Sequence, residues 1–88
     1  MMSDNKQKLV RRLKIVEGQI RGLQEMVLND TYCIDIITQT SAVKQALSGV
    51  EDALMEGHLG SCLVNQIQNG KTFTAKEEML KVYRLKRK

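Results

Sequence analysis

Eighty-eight residues with one Phe, two Tyr and no Trp make a single small domain over 1–88, short of the bulk that fills a large core. With no signal peptide and no long apolar run, a membrane protein or a disulfide-stapled secreted domain is not expected, and the two cysteines read as free thiols in a reducing cytoplasm. Hydrophobic residues still make up 42% of the chain, so a homo-oligomer is expected to supply the missing core.

Asn5 to Leu28 predicts an amphipathic helix. Leu9, Leu13, Val16, Ile20, Leu23 and Val27 recur in alternating steps of four and three, the spacing of a coiled-coil seam. Gly18 and Gly22 weaken a helix interior, and their four-residue spacing predicts a close backbone approach. Asn29-Asp30-Thr31 breaks the pattern, with Asp30 or Thr31 placed to cap the next helix. That second helix is predicted from Thr31 to about Gln68, with Ile36, Val43, Leu47, Val50 and Leu54 as its apolar stripe. Gly57 and Gly60 predict a bend around His58, and Gly70 a stop. Thr74-Ala75-Lys76-Glu77 reads as a capping box for a shorter third helix carrying Met79, Leu80, Val82 and Tyr83. Nothing alternates with period two, so the fold class is all-α, three helices per protomer.

The charge is sorted along the chain. Residues 1–14 carry +4, residues 15–80 carry −5, and residues 81–88 carry +5. Basic ends are often merely solvated. An oligomer would repeat them on one rigid particle, which suits a polyanion such as DNA.

The soft ligands number three: Cys33, His58 and Cys62. Singly, a cysteine is most often a small buried hydrophobe and a helix-end histidine a surface or capping group. Together they form a pattern. His58 and Cys62, four apart, share one helix face. Cys33 lies 25 positions before His58, within roughly 20° of whole turns at about 100° per residue, yet roughly 40 Å away along a helix. One helix cannot bring them to one metal. A second copy running antiparallel, with a two-fold axis near Ala46 or Leu47, would set Cys33 beside its neighbour's His58 and Cys62. Two thiolates and one imidazole suit Cu(I), which soft donors favour. Zinc would need a fourth ligand or water and stays open. Nickel and cobalt would want more nitrogen or oxygen than a single histidine supplies.

Arg12-Leu13-Lys14-Ile15-Val16-Glu17-Gly18-Gln19-Ile20-Arg21-Gly22, Asp30-Thr31-Tyr32-Cys33-Ile34-Asp35 and Thr40-Ser41-Ala42-Val43 resemble the CsoR family of small helical metal- and sulfur-responsive repressors, from about residue 7 to 82. The resemblance implies a dimeric four-helix core with the third helix outside it, assembled into a tetramer. The Cys…His-x-x-x-Cys pattern implies the copper-sensing branch, with Cys33 of one protomer and His58 and Cys62 of the next binding Cu(I). Tyr32, beside the first cysteine, and Glu78, twenty residues after His58, match positions that support the metal site, Glu78 as the carboxylate on the histidine. Arg12 matches the family's DNA-contacting arginine, with Arg11 and Lys14 adding basic surface on the same helix. Gly60 and Ser61 depart from relatives that often carry larger or charged residues there, which bears on local helix rigidity.

The implied function is a Cu(I)-responsive transcriptional repressor that holds operator DNA in the apo form and releases it when copper binds. With no helix-turn-helix or zinc-finger signature, shape readout by a flat tetramer face is the expected mode. The alternative within the fold is a persulfide-sensing repressor using Cys33 and Cys62, against which His58 stands. A Cys–His hydrolase has no oxyanion loop or orienting third residue, so no enzyme and no small-molecule substrate are expected. A copper store without a DNA role would leave the basic ends unexplained.

Overall fold

The computed structural model describes residues 3–87, with side chains from residue 6 onward. Its helices are α1 (Ser3–Leu28), α2 (Cys33–Gly57), a π-helical turn (His58–Cys62), α3 (Leu63–Gln68) and α4 (Thr72–Arg87). No non-helical residue separates α2, the π turn and α3, so the predicted second helix is realised as that run and the chain is all-α. Two compact units divide it, Met1–Met55 and Glu56–Lys88.

The first unit is a hairpin of α1 and most of α2. α1 stops because Asp30 adopts a left-handed conformation (φ 54°). The Thr31 amide then donates to the Met26 carbonyl (3.0 Å) and the Asp30 amide to Val27 (3.2 Å), which satisfies carbonyls the helix end would leave open. Tyr32 is the cap of α2, its carbonyl accepting from the Asp35 and Ile36 amides. Asp30 therefore ends the first helix, and the expected N-cap at Asp30 or Thr31 falls at Tyr32 instead.

So short a connection turns α2 back antiparallel to α1. Leu9 and Val16 on α1, and Val43 and Val50 on α2, are buried, and Leu23 and Ile36 are half-buried. Both sets are spaced by seven. Folding about the Asn29–Asp30 step puts Leu9 at about the height of Val50, Val16 of Val43 and Leu23 of Ile36, given the common helical rise. The remaining seam residues face away: Leu13 and Ile20 are 43% exposed and Val27 60%, and on α2 Leu47 and Leu54 are each 39% exposed. The predicted seam is thus two columns, one closing the hairpin and one bare. Gly18 and Gly22 make no close approach among the described residues of the protomer. A Cβ on Gly18 would meet only the Arg21 side chain at 3.8 Å, and one on Gly22 nothing within 4 Å.

In the second unit, α3 ends by the same device as α1. Gly70 is left-handed (φ 76°), and the amides of Gly70 and Lys71 donate to the Ile67 and Gln66 carbonyls at 3.2 and 2.7 Å. α4 then packs on α3. Its inward stripe is buried Ala75 with half-buried Met79 and Val82. The Lys71 carbonyl accepts from the Ala75 amide, so α4 starts at Thr72 and Thr74 lies inside the first turn. The capping box predicted there does not form, because the chain enters the helix three residues earlier, with Lys71 in the cap position. Arg84, Lys86 and Arg87 in the last turn complement the negative end of the helix.

Candidate metal centre and basic surface

Cys33 is the first residue of α2, next to capping Tyr32, where free helix amides favour negative charge. Its thiol is free and exposed, and the Tyr32 side chain is 67% exposed. This is not the buried structural cysteine that a single Cys would ordinarily be. Cys62 is also free and exposed, and His58 is half-buried.

His58 and Cys62 open and close the π turn. The Leu63 amide donates to the His58 carbonyl, five residues back, in place of the usual four. Gly57 and Gly60 hold this stretch weakly in α form, and the Ser61 Oγ donates to the Gly57 carbonyl at 2.9 Å, a back-bond that itself disfavours straight helix. Where the glycines predicted a bend, the structure has this extra-wide turn. Four residues overshoot a full α turn, but a ring closed five residues back leaves Cys62 just short of one. The imidazole and the thiol therefore sit on adjacent levels of one side, at an azimuth that a uniform helical period does not give. The Ser61 Oγ also lies 3.9 Å from the Cys62 Sγ.

Glu78 reaches from α4 to α3, where its Oε1 accepts from Gln66 Nε2 at 2.7 Å. Among the described residues its hydrogen bond is to Gln66 and none is made to His58. The Gln66 Oε1 is buried without a partner. Sequence reasoning passed over Gln66; the available signal was a mid-helix amide three residues after half-buried Leu63, on the side that meets α4.

Cys33 belongs to the first unit, His58 and Cys62 to the second, and among the described residues no three of His, Cys, Asp and Glu gather into a metal-binding group. The donors on hand are two reduced thiols and one imidazole. That set fits a soft ion content with few ligands.

Basic surface lies on α1. Lys6, Arg11 and Lys14 line a shallow groove with Gln7 and Val10. Arg11, Arg12 and Lys14 are exposed and form no ion pair among the described residues, whereas Arg21 is engaged by Glu17 at 3.7 Å. Unpaired cations on one rigid helix remain free for phosphates. No described helix is long and apolar enough to cross a membrane.

A helical hairpin, two free thiols with a single imidazole, and an open basic helix suit a metal-responsive regulator. The chain belongs to the family of metal-sensitive transcriptional repressors, which it matches over residues 5–85. It is 43% identical over 82 residues to the copper-sensing transcriptional repressor CsoR of Bacillus subtilis, covering 93% of this chain and 81% of that protein. It is 41% identical over 68 residues to the copper-sensing repressor RicR of Mycobacterium tuberculosis, covering 77% and 71%. Among solved structures, the copper-sensing repressor CsoR with Cu(I) from Geobacillus thermodenitrificans superposes with a TM-score of 0.91 at 35% identity, over 100% of this chain and 92% of that one. The family is one of non-enzymatic regulators, as the sequence predicted.

Proposed function

We propose that this chain is a Cu(I)-responsive repressor, a single functional domain acting in the reducing cytoplasm. Its metal site is shared between protomers: Cys33 of one copy, His58 and Cys62 of the next. The observation that carries this is the donor set itself. Both thiols are free and exposed, and the lone imidazole shares one π turn with the second thiol. Relatives at 43% and 41% identity carry the name copper-sensing repressor.

The second copy has a place to dock. Leu13, Ile20 and Val27 on α1 and Leu47 and Leu54 on α2 are exposed apolar columns, and Leu47 lies where the two-fold axis is expected. Pairing them across that axis builds a four-helix core and brings the ligands together; two such dimers make the tetramer. In the apo form Arg11, Arg12 and Lys14 contact operator phosphates, so DNA affinity falls steeply with salt. His58 would join Cys33 and Cys62 in holding Cu(I), with Tyr32 beside Cys33 and Glu78 placed to orient the imidazole through its other nitrogen. The assembly with weaker DNA affinity is thereby favoured, and reciprocity makes DNA weaken copper binding by the same factor.

The test is anaerobic titration of reduced protein with Cu(I) against a competing chelator, with ligation read by X-ray absorption. One copper per protomer with two sulfurs and one nitrogen is expected, and release of operator DNA on loading. His58→Ala removes the nitrogen and lowers affinity by more than about 100-fold, since losing even an outer partner of a ligand costs about 10–100-fold. Sulfur-only ligation indifferent to His58→Ala would move the function to a thiol-based sulfur sensor.

A further inference from the structure

We propose that Gln66 is a latch that holds Glu78 in the metal-free protein, and that Cu(I) loading at His58 takes Glu78 away from it. The inference rests on the copper-sensor function above and adds a residue which that function does not use.

The orientation of the Gln66 amide is forced. A carboxylate only accepts hydrogen bonds, so the group 2.7 Å from Glu78 Oε1 must be the amide nitrogen. That turns the Gln66 Oε1 the other way, where it is buried and has no donor. Leaving a buried amide oxygen unpaired is unfavourable. One short, charge-assisted bond therefore holds Gln66 in an orientation that its other end resists. The bond also spans α3 and α4, the packed helix pair of this unit.

The carboxylate has a competing partner. A histidine that binds metal through one ring nitrogen characteristically donates its other N–H to a carboxylate or carbonyl. His58 begins the π turn that leads directly into α3, within the same unit as Gln66 and Glu78. Occupied by Gln66, Glu78 is withheld; released, it can orient the imidazole, and Gln66 is free to turn its oxygen to a donor. The side-chain pair thus has two discrete arrangements that copper distinguishes. That is the element a coupling between metal and helix packing requires.

A mere staple between α3 and α4 would leave copper affinity unchanged or lowered when removed. A latch raises it. The experiment is Cu(I) affinity by chelator competition on the wild-type oligomer, Gln66→Met, Glu78→Ala and the double variant, together with the Gln66 side-chain amide signals by NMR. Gln66→Met is expected to bind Cu(I) about 5-fold more tightly, the scale of one typical net hydrogen bond. Glu78→Ala weakens binding about 10-fold, and in that background Gln66→Met changes nothing. In the wild type the Gln66 amide signals shift on Cu(I) loading towards their positions in Glu78→Ala. Gln66→Asn, one methylene too short to hold the bond, reproduces the gain should the methionine variant fold poorly. Wild-type or weaker affinity in both Gln66 variants, or amide signals unmoved by Cu(I), overturns the latch and leaves the copper sensor standing. Absence of tight Cu(I) binding by the wild type removes both.

Discussion

The α1–α2 hairpin and the segment from Glu56 onward are built on opposite terms. The hairpin keeps strict heptad columns and buries Leu9, Val16, Val43 and Val50. In the later segment the buried apolar residue is Ala75, and the helix there gives up its regular hydrogen bonding at His58–Cys62. Regular packing makes a scaffold; the irregular turn holds the imidazole and a thiol. Segments that must respond to a ligand are drawn from the less stable end of a structure, which suits the second region to the copper site proposed above.

The largest way to break that contrast is Leu9→Ala. Removing a 6%-exposed leucine from the hairpin is expected to destabilise the protein by about 3 kcal/mol, through lost burial and the cavity left behind. Urea unfolding at fixed protein concentration would measure it, and a change below about 1 kcal/mol would mean that the column is not core. Gly60→Ala acts on the other region. A Cβ there meets nothing within 4 Å, so the gain in helix propensity, about 1 kcal/mol, comes without a clash. Hydrogen exchange should show slower exchange of the Leu63 amide; faster exchange would mean that the π turn needs this glycine.

The smallest effect compares the two helix stops. Both chain reversals use the same pair of amide-to-carbonyl bonds, one with Asp30 and one with Gly70 in the left-handed position. Asp30→Gly relieves a backbone conformation that side chains disfavour and is expected to add about 0.5 kcal/mol, detectable as a small rise in the urea midpoint. A loss would show that the Asp30 side chain contributes something the backbone bonds do not.

Much of this was legible in the chain. Gly70 as a stop, the break after Leu28, an irregularity near His58 and the all-helical fold follow from local rules about glycine and apolar spacing. The cap at Thr74 was not, because a good capping motif says nothing of whether the chain has already entered a helix, as it has at Thr72. The spacing of Gly18 and Gly22 predicts contact points, yet among the described residues of the protomer they face open space or one flexible arginine.

By itself, the sequence determined the helices, the heptad columns, the basic ends and the three soft donors, since each depends on residues near one another in the chain. Only the tertiary structure decided which column closes the hairpin and which is left bare. Periodicity marks an apolar face but not the partner that covers it. Tertiary structure likewise set the five-residue ring at His58 and joined Gln66 to Glu78, twelve positions apart, because a side chain's partner is chosen by where the next helix folds back.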